Sequence, residues 1–538
     1  MKTKDGTRNR KIPWKFLIIT WLALAVVTTS VPVMDYLRRP AGSTFTGYSY
    51  ESQGDIFVYL NLIDQAQRGS VRFQNFFTPD GYDHALLNIL FLLLGRAASV
   101  LHVSSLFIWH VARDLLILPL LIFLRMIIAR MPIPRHIGPW ASLAVLAVGG
   151  IGVRNPESSV FLTMLYSPMA TWSLAATLGV IAAYLRLREG GFSWNISSWI
   201  IVLCVLQAFV QPYVLFLWVV LSTIPWFVDT LLTPRRIVHH MLLGAPLVIG
   251  SLVGFMLITL EVAGNQALTA WAMTAMQKPW PVSQTLQAFS VAGFFAIVGC
   301  VVLLGASDGV TRTKRLSLII WFVVAMVVTR SSYPYAYRLM VYVVPPMVCL
   351  AVLGWLWFWE KYRGMVPHIL LILLVLATLF DPARHLYLNI TTHTYDPQFR
   401  YLQPNDVAAI QWIRQMTPEH SLILTGTSWD TLFAQQAYRH VYATHGWQTT
   451  DVLQRIMQVN DIYAGKYTND QLRDFLHTNR IGYVIVSDWE KNGAVIQADQ
   501  LFLDPQYLAE HGYHFRSEQY HFLHLAYDKN GFQVYSVD

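Results

Sequence analysis

Long apolar runs separated by short polar loops fill the chain from about residue 13 to about residue 380. A helix needs about 20 apolar residues to cross the hydrocarbon core of a bilayer. The pattern therefore predicts a polytopic α-helical membrane protein with about eleven spans. The predicted spans are residues 13–33, 106–128, 137–153, 162–185, 196–211, 213–232, 241–260, 287–306, 316–330, 339–359 and 365–380.

Residues 84–103 form a further apolar run, but Arg96 lies at its centre. Because a central arginine is costly in a span, this run is predicted to be a juxtamembrane or partly inserted helix. With the N-terminus in the cytoplasm, lysine and arginine then cluster in every second loop, and the positive-inside rule places residues 381–538 outside. The clusters lie at residues 125–135, 186–188, 235–236, 312–315 and 361–363.

Composition agrees with a multi-pass protein of the cell membrane. The sequence is 54% hydrophobic and 13% charged, with a mean hydropathy of +0.41, whereas soluble proteins carry about 25% charged residues. The net charge of +8 comes from the loop clusters, which indicate topology rather than nucleic-acid binding. We predict a transmembrane domain at residues 1–381, with a first outer loop at 34–105, and a soluble extracytoplasmic α/β domain at 382–538.

The first outer loop is long and contains several carboxylates. Residues 54–69 have apolar side chains at helical spacing, which predicts a short amphipathic helix lying on the outer leaflet. Asp55 stands at the start of this helix, where its charge has two interpretations: stabilisation of the helix N-terminus by less than about 1 kcal/mol, or catalysis. The acidic residues of the loop are Asp35, Glu51, Asp55, Asp64, Asp80 and Asp83.

A second acid stands in the next outer loop. Glu157 precedes an apolar helix at the predicted bilayer edge, and the same two interpretations apply to it. In the predicted topology Asp55 and Glu157 lie at the same membrane surface. Two carboxylates there can share a divalent cation and a phosphate.

An aromatic and basic segment at residues 330–338 is also predicted to be outside. Its tyrosines, Tyr337 among them, suit the interfacial aromatic belt. Arg338 opens a span that contains Pro345. Its guanidinium group either snorkels to the interface or grips a lipid phosphate. The sequence has no zinc-ligand spacing, phosphate-binding P-loop or nucleophile elbow.

Taken in order, these features resemble bacterial members of the GT-C superfamily of integral membrane glycosyltransferases. The first outer loop of that superfamily carries a catalytic Asp near a juxtamembrane helix. Asp55 matches it, in a D-x-x-x-Y pattern with Tyr59 that is followed by Gly69 and Gly95. Two later features also match: an acid in the second outer loop, and an arginine at the start of a late span. They are Glu157, in NPESSVF, and Arg338, followed by Pro345.

The resemblance implies a glycosyltransferase that moves a hexose or pentose from a polyprenyl-phosphate donor to an extracytoplasmic acceptor by inverting displacement. Asp55 would be the general base, and Arg338 would stabilise the departing phosphate. Tyr59 and Tyr337 would contact the substrate. The second outer loop has no D-x-D or E-x-D pattern. The sequence therefore leaves two alternatives: a reaction without a metal ion, or one with a Mg²⁺ or Mn²⁺ ion held by Asp55 and Glu157. The expected partners are the lipid-linked donor, membrane lipid and an acceptor glycan, lipid or protein.

The tail resembles the C-terminal domain of the same group. It has a predicted helix at Asp406–Met416, a predicted strand at Ser421–Thr425 and a final hairpin at residues 524–537. Alternation of helices and strands predicts a small α/β or α+β domain that binds the acceptor or covers the site. His445 is a candidate substrate-binding residue, and a structural histidine beside a turn at Gly446 is the alternative.

Two other classes of protein fit parts of the pattern. A transporter or flippase for a lipid-linked or envelope substrate is the main alternative. Transporters usually carry ionisable residues within spans and show internal repeats, whereas here the polar residues cluster in the outer loops. A membrane-anchored assembly protein with an outer sensor domain is the other alternative, but about eleven spans are more than an anchor needs.

Overall fold

The computed structural model describes residues 14–47, 55–79, 87–148, 159–232, 237–262, 282–305, 309–331, 336–362, 364–391, 400–426, 429–444, 449–491, 513–529 and 531–538. The chain forms two compact units. The first, here the helical unit, comprises Met1–Ser30, His110–Glu261 and Met276–Leu388. The second, here the loop–tail unit, comprises Val31–Trp109, Val262–Ala275 and Asn389–Asp538. The first outer loop and the tail therefore share one compact unit.

The described chain before residue 392 is mainly helical. Each of the predicted spans overlaps at least one of these helices, while the number that cross the bilayer stays a prediction. The helices are α1 (Trp14–Leu37), α2 (Asp55–Gln67), α3 (Ile89–Leu101), α4 (Ser105–Ile128), α5 (Gly138–Ala147), α6 (Val160–Tyr166), α7 (Pro168–Gly190), α8 (Trp194–Ala208), α9 (Tyr213–Leu232), α10 (Ile237–Val262), α11 (Val282–Leu304), α12 (Gly309–Thr329), α13 (Val344–Lys361) and α14 (Met365–Thr391).

Three of the described helices are long and apolar enough to cross a membrane by themselves: Trp14–Leu37, Pro168–Gly190 and Ile237–Glu261. Shorter apolar helices lie at Ile89–Leu101, Gly138–Ala147, Trp194–Ala208, Val291–Leu304 and Leu316–Thr329. α3 has 13 residues, and such a helix is about 20 Å long, less than the hydrocarbon core of about 30 Å. Its length favours a juxtamembrane helix over a span.

Prolines explain two differences from the predicted spans. The run at 162–185 is divided because α6 ends at Tyr166 and α7 begins at Pro168, with the Ser167 hydroxyl accepting a hydrogen bond from the Ala170 amide. The run at 339–359 begins as a 3-10 helix at Ala336–Tyr342, and α13 starts immediately before Pro345. Proline lacks the N–H that a helix interior needs but fits the first turn.

The tail forms a mixed five-stranded sheet with helices, which confirms a C-terminal sheet domain. β3, β4 and β5 are parallel, β7 is antiparallel to β5, and the predicted hairpin is β6–β7. The strands are β1 (Thr44–Phe45) in the first loop, then β2 (Tyr401–Leu402), β3 (Leu422–Leu424), β4 (His440–Val441), β5 (Ile481–Val486), β6 (Leu523–Lys529) and β7 (Phe532–Val537). The helices are α15 (Pro404–Met416), α16 (Asp430–Ala437), α17 (Val452–Tyr463), α18 (Asn469–Thr478) and α19 (Asp488–Lys491).

Successive residues of the central strands face opposite sides of the sheet. Ile423 and Ile485 lie in the apolar cluster that includes α15 and α16. Leu424 and Val484 lie in the cluster that includes α17 and α18. The tail therefore has helices on both faces of its sheet, in three layers.

A buried carboxylate joins the carboxyl ends of β3 and β5. Glu490 accepts hydrogen bonds from the Thr425 hydroxyl, the Gly426 amide and the Trp429 indole through Oε1, and from the amide and hydroxyl of Ser487 through Oε2. Buried charges are stable when they are hydrogen-bonded in this way. Glu490 is therefore a structural residue that fixes this edge of the sheet.

Candidate functional site

Asp55 is the first residue of α2 and is partly exposed. The helix begins here because an acid at the N-terminus interacts favourably with the helix dipole. Tyr59 follows one turn later, and its ring stacks at 5.3 Å from the Phe91 ring and 5.5 Å from the Trp109 ring. These contacts hold Tyr59, and with it the first turns of α2, against α3 and the start of α4.

α2 lies unusually close to α3 because Gly95 has no side chain. A Cβ atom at Gly95 would lie 2.3 Å from the Ala66 Cβ and 2.5 Å from the Ile63 carbonyl oxygen. The Gln67 side chain also donates a 3.0 Å hydrogen bond to the Val103 carbonyl. The close packing of the two helix backbones and this hydrogen bond therefore hold α2, which carries Asp55, against α3.

The tail covers the other side of α2. Phe57 and Val58 belong to the same buried cluster as Phe433 of α16, and the Gln435 amide donates to Asp64 Oδ2 at 3.1 Å. The apolar stripe of α2 is buried inside the protein, with Ile63 completely inaccessible. The predicted helix at residues 54–69 is present, but the prediction that its apolar stripe lies on the outer leaflet is wrong, because α3 and the tail bury it.

A later segment of the first loop pairs with the edge strand β4. The Val441 amide donates to the Phe76 carbonyl at 3.1 Å, and the Thr449 hydroxyl donates to the Phe77 carbonyl at 2.5 Å. His440 Nδ1 lies 3.0 Å from the Thr78 carbonyl oxygen. An exposed edge strand can pair with other chains. The first loop covers the edge strand β4 and so protects the sheet of the tail from such pairing.

This contact is expected to weaken in acid. Burial lowers the pKa of His440 below its usual 6.5, and the nearby His420 lowers it further, while the hydrogen bond with Thr78 acts in the opposite direction. The folded state therefore disfavours the charged imidazole. The stabilisation is complete above about pH 6.5, the unfolded value, and is lost as the pH falls through the lower folded pKa.

We therefore expect the unfolding temperature of the full-length protein to fall more between pH 7.5 and pH 5.5 than that of a His440→Asn variant. Asparagine retains a side-chain donor for the Thr78 carbonyl but does not titrate. Thermal unfolding of both proteins in one detergent measures the difference. Equal losses in the two proteins would contradict the assignment to His440.

A second joint holds the start of the first loop to the start of the tail. Arg400 Nη1 and Asp35 Oδ1 form a buried ion pair at 2.8 Å, and the Tyr401 hydroxyl donates to the Asp35 carbonyl at 2.8 Å. β1 and β2 pair antiparallel beside it, with Thr44 opposite Leu402. Asp35 is therefore a structural acid of the loop.

The other candidate residues are distributed differently. Arg338 and Tyr337 lie in the 3-10 helix Ala336–Tyr342 of the helical unit, and Arg338 is half-buried. Glu157 and His445 lie outside the described residues. Asp55 and Tyr59 are thus brought together on one helix of the loop–tail unit. Within the described part of the chain, no group of three or more His, Cys, Asp and Glu side chains could hold a metal ion.

The sequence analysis missed an ion pair within α4. The buried Arg113 lies 3.1 Å from Asp114 Oδ1, and Thr28 and Thr29 of α1 donate to the two Asp114 carboxylate oxygens at 2.9 and 2.5 Å. Arg113 also donates to Thr29 at 3.1 Å. An Arg-Asp pair inside an apolar run is itself a signal, because charges within spans are rare and pair with one another.

Comparisons with known proteins identify the fold through structure. No protein-family model matches the sequence, and no curated protein matches it. The structure matches the Archaeoglobus fulgidus oligosaccharyltransferase tethered with an acceptor peptide, at a TM-score of 0.54 and 13% identity, over 96% of this chain and 74% of that one.

Two further structures match over 96% of this chain at 14% identity. Arabinofuranosyltransferase AftD from Mycobacteria matches over 40% of its length with a TM-score of 0.58. ArnT from Cupriavidus metallidurans, bound to undecaprenyl phosphate, matches over 97% of its length with a TM-score of 0.51. All three are GT-C glycosyltransferases, and the chain has the GT-C fold, as the resemblance in its sequence implies.

Proposed function

We propose that this chain transfers a sugar from a polyprenyl-phosphate donor to an acceptor outside the cytoplasm. The GT-C fold supports this function, and the ArnT structure with the same fold contains undecaprenyl phosphate. The observation that carries the proposal is Asp55, a partly exposed carboxylate at the first turn of a helix that packing holds in place. A general base needs a proton-accepting group that solvent and substrate can reach, and a fixed position.

In the proposed reaction the acceptor hydroxyl attacks the anomeric carbon from the side opposite the phosphate. Asp55 takes the hydroxyl proton, the C–O bond to the lipid phosphate breaks, and the configuration inverts. Arg338 stabilises the charge that develops on the departing phosphate. Tyr59, Tyr337 and His445 are the proposed substrate contacts.

A divalent cation is compatible with this scheme but is not needed for its proton transfer. Carboxylate oxygens are ligands that Mg²⁺ and Mn²⁺ accept, and Asp55 and Glu157 are the proposed pair. Bound there, the ion would neutralise charge on the phosphate. The positive-inside pattern supports a plasma-membrane protein with the catalytic loop and the tail outside the cytoplasm.

A transporter or flippase is the alternative, and the Arg113–Asp114 pair favours it because ionisable residues within spans often mark transport pathways. Both charged groups, however, are engaged with the hydroxyls of α1. The pair therefore fits a structural joint between α1 and α4.

Mass spectrometry of envelope glycans and glycolipids, with and without the gene, distinguishes the two functions. If the protein is a transferase, cells without the gene should contain acceptors that lack one sugar residue. They should also accumulate the sugar-bearing polyprenyl phosphate and contain less free polyprenyl phosphate. A flippase predicts an intact set of linkages at lower amounts. An unchanged glycan and lipid profile would refute the transfer activity.

A further inference from the structure

Two arginines from distant parts of the chain meet at one tyrosine ring. The guanidinium carbon of Arg68, just after α2, lies 3.6 Å from the Tyr438 ring centroid, and that of Arg414, in the last turn of α15, lies 4.7 Å from it. Tyr438 is buried, whereas both arginines are exposed. We call these three residues the arginine clamp.

The donors of the clamp are available. In the part of the chain that the structure describes, neither guanidinium group of the clamp donates a hydrogen bond or forms an ion pair with a carboxylate. A guanidinium group that lies against an aromatic ring keeps its N–H bonds in its own plane, where they can reach a ligand. Two such groups offer paired donors of the kind that bind phosphate and carboxylate.

The electrostatics of the clamp favour an added negative charge. Partial desolvation of its guanidinium group lowers the pKa of Arg414, and the positive charge of Arg68 lowers it further, while Tyr438 and Asp64 act in the opposite direction. Asp64 is the nearby acid: it accepts a hydrogen bond from the Gln435 amide, and its charge and its hydrogen bond with Tyr438 raise the pKa of that buried tyrosine. A single carboxylate leaves the two guanidinium groups with a net positive charge. Two like charges held together cost free energy, which a bound anion would recover.

The position of the clamp suggests which part of a ligand it holds. Arg68 follows the C-terminal end of α2, and Asp55 is at the other end of the same helix. Helix geometry separates the two by about 20 Å. A group bound at the clamp is therefore remote from the reacting hydroxyl and must belong to an extended molecule.

We propose that Arg68 and Arg414, held against Tyr438, bind a carboxylate or phosphate group of an extended anionic acceptor. This assignment of the acceptor class rests on the proposed transferase function. The binding itself does not, because it requires only the clamp and an anionic group.

Binding of soluble acidic oligogalacturonate to the full-length protein in phosphatidylcholine nanodiscs tests the proposal. We expect an Arg68→Gln/Arg414→Gln variant to bind this probe at least 10-fold more weakly, and the wild type to lose affinity as salt screens the charges. An Arg455→Gln variant is the matched control, because Arg455 lies 5.2 Å from the Tyr442 ring of the same unit and its substitution removes the same positive charge from another place. It should change affinity less than twofold.

Three results would overturn the proposal. The first is equal affinity of the double variant and the wild type for the probe. If the double variant binds normally but has a lower unfolding temperature, the two arginines have only a structural role. The second is equal binding of a neutral oligosaccharide of the same length. The third is tighter binding of soluble glycerophosphoglycerol, the headgroup of phosphatidylglycerol, than of the probe, which would make a lipid headgroup the occupant. If the double variant does not fold, the single Arg414→Gln variant is used, with at least a threefold loss expected.

The same measurement on an Asp55→Asn variant separates the two proposals. Retained probe binding with lost sugar transfer supports both. Retained transfer in that variant would refute the proposed catalytic role of Asp55 and leave the anion site standing.

Discussion

Replacing Asp55 with asparagine is expected to lower the rate of sugar transfer by about 100- to 10,000-fold, the range that a general base contributes. Asparagine has nearly the same shape but cannot take the proton of the acceptor hydroxyl. Loss of the carboxylate at the helix N-terminus costs less than about 1 kcal/mol, so the unfolding temperature should change little. Turnover of a purified donor with the full-length protein measures the effect.

The control for this variant is Asp461→Asn. Asp461 forms an exposed ion pair with Lys466 at 2.7 Å in the same unit, and exposed pairs contribute less than about 1 kcal/mol to stability. Its transfer rate should match that of the wild type. Near-normal transfer by the Asp55→Asn protein would refute the catalytic assignment, and a lowered unfolding temperature would instead indicate a structural role for Asp55.

Local sequence patterns predicted the elements of this fold well. Helical spacing at residues 54–69 gave α2, and the predicted tail helix at Asp406–Met416 is present as α15, which starts at Pro404. These elements depend on periodicity and capping, which neighbouring residues determine. The division at Ser167 was also readable, because Pro168 follows it and favours a helix start.

Tertiary partners were not predictable in the same way. The apolar stripe of α2 suits a membrane surface and a protein core equally, because both remove apolar area from water. The pairing of Phe76 with Val441 joins residues more than 300 positions apart, and no local signal reports it. The same holds for the contact of Arg68 and Arg414 with Tyr438.

The candidate site shows the same limit. Asp55 could be singled out because an acid at a helix start has two interpretations, stabilisation of the helix N-terminus or catalysis. The GT-C resemblance favours catalysis. Gly95 was noted only as part of that resemblance. Its physical role, a close approach of two helix backbones, becomes visible only when α2 is seen beside it.

Gly95→Ala is therefore expected to damage both stability and activity. The new Cβ would meet the Ala66 Cβ and the Ile63 carbonyl oxygen at distances that force the two backbones apart. Overpacking of this kind costs about 1–3 kcal/mol. A displacement of α2 by about 1 Å would move Asp55 and lower the transfer rate by about 100-fold. Thermal unfolding and the transfer assay measure the two effects.

Gly244→Ala provides the matched control, because Gly244 is inside α10 and its added Cβ would meet nothing within 4 Å. Alanine is a better helix former than glycine by about 1 kcal/mol, so this variant should be as stable as the wild type or more stable. Adding Ala66→Gly to Gly95→Ala removes the shortest contact and should restore part of the activity. If Gly95→Ala behaves like Gly244→Ala, the close approach of α2 and α3 does not position the catalytic carboxylate.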